Sequence, residues 1–408
     1  MPRPYPTISK GTDGKWHAWV TVGTKPNGRP DQRHIKRASR GDVEVEVDKL
    51  LAQRRTGKVT KAGRKPTVEA WLTTYLDTIA PRKCDPSTIQ GYRSKVRNYV
   101  YPDHGRTRLD RLTAEDLDAI YLAMARAGRA DATILQTHRI LSRALEIAFR
   151  RGLLPTNVAK LIDSPTAKKQ EIEPLTEDEA VAVLAAAEGR RNAARWSVGL
   201  ALGLRQGEAL GLRWDYVDLQ AGELRVWWQL HRRAWEHGCG QPCGRRRGGN
   251  CPERRMPMRS GETLIEGLIL KAPKGTGKRT IPIPGELVEK LQAHREVQAL
   301  ERQFLGAAHD HGFVFARADG RPIDPADDWS EWKSLLSQAG VREARVHDGR
   351  HTAGTLMIAQ GVPIEVVQEI LGHSSVVVTR GYTHVASRMA REATERMGAS
   401  LLNRRSTP

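Results

Sequence analysis

The sequence predicts an α+β chain, mainly α, in three parts: a small β-rich module over residues 1–60, an all-helical domain over 66–163, and a mixed α/β domain over 174–395. Three observations carry that division. Strand chemistry, with aromatic and β-branched residues, shows at residues 15–38 and again at 268–284, whereas 66–163 is dominated by helical spacing with capping residues. Two polar stretches, 58–65 and 164–173, separate the parts. A chain of 408 residues is long enough for two or three domains, each with its own core.

The elements follow in order. Lys15–Gly23 reads as a strand, Thr24–Arg29 as a turn around Asn27-Gly28, and Arg33–Ala38 as the return strand. Asp42–Thr56 has periodic Val and Leu and predicts a short helix. Val68, Trp71, Leu72, Tyr75 and Leu76 fall at helical spacing. Pro86–Val100 begins with a Ser/Thr cap and continues as a basic helix, and Thr113-Ala114-Glu115-Asp116 is a second helix start, with acids favoured by the helix dipole. Thr133–Arg151 is a long basic amphipathic helix, closed by Gly152 and Pro155. Thr176, followed by Glu177, Asp178 and Glu179, opens the last domain.

Composition narrows the function classes. Lys and Arg number 66 against 47 Asp and Glu, a net charge of +19. That excess favours a polyanionic partner, nucleic acid before an anionic membrane surface. Arg93, Lys95, Arg97, Arg139, Arg143, Arg150 and Arg151 tip the helical domain toward phosphate binding, and the N-terminal sheet suits a groove of DNA. The N-terminus has no apolar signal segment, and no apolar run approaches the roughly 20 residues of a membrane span. Four cysteines do not make a disulfide scaffold. The expected compartment is a reducing cytosol, with no membrane partner.

Four blocks carry chemistry. Gly203-Leu204-Arg205-Gln206-Gly207-Glu208 puts an arginine at a glycine-bounded turn, with Glu208 one helical turn on and able to orient its guanidinium. Arginine offers a phosphate two parallel donors, which lysine does not reproduce. Leu268–Pro284 reads as a β-hairpin with a Gly275-Thr276-Gly277 tip, beside which Lys274 could enter a groove and protonate a departing 5′ oxygen. His347-Asp348-Gly349-Arg350-His351 sets His347 and Arg350 on one side of a helix start, with His351 out of phase as a packing or supporting residue. Leu371-Gly372-His373-Ser374 precedes Tyr382, a phenol able to attack a phosphodiester and hold it covalently.

In this order the blocks resemble the tyrosine recombinases, or phage integrases, across 174–390. The resemblance implies a catalytic set of Arg205, Lys274, His347, Arg350, His373 and Tyr382. Lys271 and Lys278 lie near Lys274, which is preferred because its eight-residue interval to Pro282 matches many members of the family. The implied activity is site-specific cleavage and rejoining of double-stranded DNA at attachment sites, through a 3′-phosphotyrosyl intermediate, with no cofactor required for catalysis. The other members of the class this resemblance leaves open are a chromosome dimer resolvase and a DNA-binding regulator that does not cut. The implied assembly is a homotetramer on DNA in the bacterial cytoplasm, at the nucleoid, with an excisionase and a DNA-bending host factor as accessory partners. Ser87–Tyr92, with Leu112–Leu117 after it, resembles the family's helical core-binding domain, residues 1–60 resemble its arm-type DNA-binding module, and Arg391–Leu402 the helix exchanged between neighbours.

One stretch stands apart from that pattern. An insertion over 231–256 gathers His237, Cys239, Cys243 and Cys251, with one, three and seven intervening residues, and His231 nearby. Thiolates and imidazole suit a structural tetrahedral zinc, and Gly and Pro suit a knuckle. Free thiols in a basic loop, or a disulfide under oxidation, are the other readings of the same residues. Cys84 reads as a lone thiol.

Overall fold

The computed structural model describes residues 5–24, 28–55, 65–168, 172–240, 243–273 and 277–372. The chain divides into two units, Met1–Lys169 and Gln170–Pro408.

The first unit begins with an antiparallel sheet in the order β1 (Ile8–Lys10), β2 (Trp16–Thr24), β3 (Pro30–Arg37). Residues 25–27 of the expected turn lie outside the described residues, but Gly28 has φ 77°, the positive value that Asn-Gly turns exploit. Alternation along β2 buries Ala18, Val20 and Val22 against Ile35 of β3 and against Val43 and Val47 of helix α1 (Arg40–Arg55). The opposite face keeps Trp19 exposed and stacked on His34, ring centroids 4.4 Å apart.

Helices fill the rest of this unit: α2 (Val68–Thr74), extended by a π turn over Tyr75–Ile79, then α3 (Pro86–Tyr99), α4 (Tyr101–His104), α5 (Ala114–Arg126) and α6 (Asp131–Arg150). The cap of α3 corrects the sequence expectation. Asp85, not a Ser or Thr, accepts from the Ser87 amide, and Pro86 occupies the first helical position, where its missing N–H costs nothing. Thr113 and Asp116 form the reciprocal capping box expected for α5. Trp71, Leu76, Val96, Leu117, Leu141 and Leu145 belong to one buried cluster, and the Trp71 indole donates to the Ala144 carbonyl at 3.1 Å. Cys84 packs against this cluster.

The second unit opens with α7 (Glu177–Ala187), α8 (Ala193–Leu202) and α9 (Gln206–Leu210). Two small sheets follow, built from β4 (Val217–Asp218), β5 (Glu223–Val226), β6 (Gln229–Arg232), β7 (Thr263–Ile265), β8 (Leu268–Lys271) and β9 (Arg279–Pro282). Helices α10 (Gly285–Leu305), α11 (Pro325–Gln338), α12 (Val346–Ala359) and α13 (Ile364–Leu371) complete the described part. Among the described residues no helix is long and apolar enough to cross a membrane.

The expected hairpin over 268–284 is not one. β8 pairs with β6 and β7, whereas β9 pairs with β5 in the other sheet. β8 and β9 are each antiparallel to consecutive segments of one strand path, Gln229↔Lys271 in the first and Val226↔Arg279 in the second. They therefore run in the same sense and cannot face each other across a tight turn. Residues 272–273 and 277–278 lie outside both ladders, and 274–276 lie outside the described residues.

Candidate active site and a cysteine–histidine cluster

The site is built where α8 ends. Gly203 takes the left-handed conformation, φ 64°, that a helix stop requires. A Cβ there would sit 2.4 Å from Leu371 Cδ2 and 3.1 Å from Ala353 Cβ, so only glycine lets α12 and α13 close against this turn. The next turn sets Arg205 at the N-cap of α9, half-buried, and Glu208 one turn on, fully buried.

Glu208 organises the cluster. It accepts from the Arg205 guanidinium at 2.6 Å and from the Arg205 amide at 3.0 Å. Its other close partner is Arg279 of β9, whose Nη2 donates at 2.9 Å. Arg350 Nη1 lies 3.9 Å away, and the firmer bonds of this guanidinium go to the Gly203 carbonyl at 2.8 Å and to the Leu371 carbonyl. Burial alone would raise the Glu208 pKa; Arg279 and Arg205 more than reverse that and hold it at about 2. Among the described residues a single buried carboxylate thus sits between three guanidiniums, leaving an excess of positive charge for an anion.

Helix α12 delivers His347 and Arg350 together, as their spacing predicts. A capping box between Arg345 and Asp348 fixes its start. His347 is exposed to solvent and meets His351 edge to face, ring centroids 5.1 Å apart. His351, four residues on, therefore shares its face rather than lying out of phase. The protein packed about the ring, with His351, Arg350 and Arg205 near, lowers the His347 pKa to about 4. Solvent exposure moderates the shift, but its direction leaves a neutral imidazole that can accept a proton.

That direction has a stability consequence. The unfolded chain takes up a proton at His347 near the ordinary histidine pKa of about 6.5, and the folded chain does not until lower pH. Stability from this group is therefore complete above about pH 6.5 and is lost as pH falls toward the folded value. His347→Gln is expected to lose less stability than the wild type between pH 7 and pH 5 in denaturant titrations. Equal losses would contradict the assignment.

Arg279 is the residue that the sequence reading missed. It is in phase with Ile281 on the inward face of β9, and it donates from Nε to the Ile370 carbonyl at 2.6 Å. A charged residue in register with buried isoleucines was the available signal. The Gly372 carbonyl lies 3.4 Å from Arg205 Nη2, so the described chain ends at the arginine cluster. Lys274, His373, Tyr382 and the segment 391–402 lie outside the described residues. Of the neighbouring lysines, Lys278 stands over the Trp227 ring, 4.9 Å from its centroid.

The second constellation is in the insertion. The donor atoms of His237, Cys239, Cys243 and Cys251 all lie within 4.8 Å of one another. His237 Nδ1 is 3.3 Å from Cys243 Sγ and 3.9 Å from Cys239 Sγ. His231 is not part of it; its Nε2 bonds to Gln229 Oε1 at 2.8 Å. Burial alone would raise the Cys251 thiol, but hydrogen bonds from Cys239 and from the Gly238 and Glu253 amides bring it down to about 6.

The phage integrase family model matches residues 173–389. An integrase of Saccharopolyspora erythraea is 37% identical over 96% of this chain and 95% of its own length. The Tn1549 transposon integrase, solved with a circular intermediate DNA, superposes with a TM-score of 0.61 at 20% identity, covering 80% of this chain and 99% of that one. A lambda integrase tetramer bound to a Holliday junction gives a TM-score of 0.56 at 16% identity, over 94% of this chain and 96% of that one. The chain belongs to the phage integrase family and is a tyrosine site-specific recombinase.

Proposed function

We propose that this recombinase integrates, and in reverse excises, a mobile genetic element, by cutting and rejoining double-stranded DNA at attachment sites in the bacterial nucleoid. The observation that carries the reading is the convergence of Arg205 and Arg350 about buried Glu208, with a neutral His347 beside them. Such a cluster is a preorganised receptor for a phosphodiester whose charge grows in the transition state.

Tyr382 Oη attacks the scissile phosphorus in line, and the phosphorus–5′ oxygen bond breaks. His347 takes the phenolic proton and Lys274 gives one to the leaving 5′ oxygen, each a role of general acid–base catalysis. Arg205, Arg350 and His373 hold the non-bridging oxygens. The 3′-phosphotyrosyl link conserves the bond for attack by a 5′ hydroxyl from another strand, so neither ATP nor a catalytic metal enters. Two duplexes cut on both strands need four protomers, with an excisionase and a DNA-bending factor setting direction. The sheet at β1–β3, with exposed Trp19 on His34, suits arm-type DNA contact beyond the core site and favours an integrase over a dimer resolvase.

The test is a suicide duplex carrying the chain's own attachment site and a nick beside the cleavage position. Wild type is expected to accumulate a covalent protein–DNA adduct and Tyr382→Phe none. Tight binding of the cognate duplex without an adduct would make the protein a regulator that does not cut.

A further inference from the structure

The geometry points to a structural zinc site, formed by His237, Cys239, Cys243 and Cys251, that holds the insertion between β6 and β7 in its fold. This inference does not rest on the proposed recombination reaction.

The first argument is spacing. Zinc binds thiolate at about 2.3 Å and imidazole at about 2.0–2.1 Å, which sets tetrahedral donor–donor separations of about 3.5–3.8 Å. The His237 Nδ1 distances of 3.3 and 3.9 Å to Cys243 and Cys239 bracket that value, and all four donors fall within 4.8 Å. Three thiols cannot all pair in disulfides with one another, whereas three thiolates and one imidazole complete a tetrahedron.

Apolar burial does not account for the fold of this segment. No described residue between 233 and 262 belongs to an apolar cluster of the protein. Segments this short and this poor in apolar burial need a staple. Described residues of the insertion are nevertheless bonded to one another around the donors. Glu236 and Arg255 exchange two backbone hydrogen bonds of 2.9 Å, and Cys251 closes a turn onto the Gly248 carbonyl at 3.0 Å. Gly238 sits where a Cβ would lie 2.1 Å from the Glu253 carbonyl, so the segment bearing His237 and Cys239 presses directly on the one leaving Cys251. At the base Arg233 pairs with Glu262 through bonds of 2.6 and 2.7 Å, both side chains buried.

The third argument is charge. Residues 231–262 contain eight arginines and three glutamates. Arg245 and Arg246 line the same concavity as His237, Cys239 and Cys243. A dication bound by three thiolates carries net negative charge, so arginines are suitable neighbours and the ion does not add to the local positive excess. The metal thus fixes a loop that displays Arg245, Arg246 and Arg247.

The test is metal analysis of the full-length chain purified under reducing conditions without chelator. One zinc per chain is expected, and cobalt exchanged into the site should give the visible bands of a tetrahedral, thiolate-rich centre. Cys239→Ser/Cys243→Ser should lose the metal, and Cys84→Ser should keep it. Chelator should open the 245–259 arginines to trypsin, and added zinc should close them again. Absence of stoichiometric metal together with failure to take up zinc would overturn the site, as would full zinc content in the double variant. Cys243→Ala offers a milder change if the double variant does not fold, and retention of zinc there with unchanged cobalt bands would likewise overturn it. Adduct formation by Tyr382 is read separately, so failure of the metal site leaves the recombinase reading intact.

Discussion

Glu208→Gln is expected to cost about 3–5 kcal/mol of stability and to lower DNA cleavage by about 10²–10³-fold, because it removes the one anion among buried cations. The carboxylate touches Arg205 at 2.6 Å and Arg279 at 2.9 Å, with Arg350 at 3.9 Å. Glutamine keeps the shape and one acceptor oxygen, but its amide would direct N–H groups at guanidinium N–H groups. Of the three arginines, Arg279 is the most exposed to this change. It is buried, and among the described residues the Ile370 and Gly277 carbonyls are its remaining partners. Arg205 is half-open to solvent and would recover hydration at the expense of its aim. Binding of a cognate duplex should fall less than the single-turnover rate of adduct formation, since the net charge of +19 leaves other basic residues to attract phosphates. Glu208→Asp keeps the charge and should recover part of the stability and less of the rate, because one methylene fewer cannot reach both Arg205 and Arg279. Thermal unfolding and nicked-duplex kinetics on the same preparations read both effects. A Glu208→Gln protein of wild-type stability that forms adduct at the wild-type rate would remove Glu208 from the centre of the site.

Much of this site was legible because helices repeat. Arg205 with Glu208, and His347 with Arg350, are three apart, and a spacing of three on a helix start is a statement about space. Capping residues were legible for the same local reason at Thr113 and Thr176, whereas at α3 the aspartate one position before the expected start won the cap. What was not legible is long-range. An apolar run, a Gly-rich turn and an alternating run look alike whether the two strands pair with each other or follow one another along a shared partner. Only register distinguishes the cases, and register belongs to β5 and β6, far back in sequence. Arg279 was hidden for the same reason, since an arginine in a strand reads as surface until the face of that strand is known. His351 was misread locally, because an interval of four from His347 is as close on a helix as an interval of three. The cysteine–histidine grouping was visible as composition, but its convergence to within 4.8 Å depends on the turn at Gly248–Asn250 and on the tight crossing at Gly238.

Asp328→Asn is expected to destabilise the protein by about 3–5 kcal/mol and to slow cleavage although Asp328 lies outside the arginine cluster. Arg195 of α8 and Asp328 of α11 form a bidentate pair, both bonds 2.9 Å, with side chains only 3% and 2% exposed. Removal of the charge from one partner leaves a guanidinium in the core with no water to replace it. The same carboxylate also accepts from Gln206 at 2.9 Å, and Gln206 bonds the Pro325 carbonyl at 2.9 Å. Gln206 is the first residue of α9 and the neighbour of Arg205, so the buried pair is what ties the N-cap arginine to α8 and α11 together. A displacement near 1 Å at a reacting group can cost about 10²-fold in rate. Arg195→Met/Asp328→Leu separates the two consequences. A buried ion pair replaced by apolar groups of similar volume often recovers most of the stability lost by breaking it. The double variant should therefore unfold nearer the wild type than Asp328→Asn does, yet still cleave slowly, because Gln206 would keep Pro325 and lose the carboxylate. Wild-type cleavage by the double variant would mean that Arg205 is positioned by Glu208 alone, and wild-type stability of Asp328→Asn would mean that the pair is not buried as described.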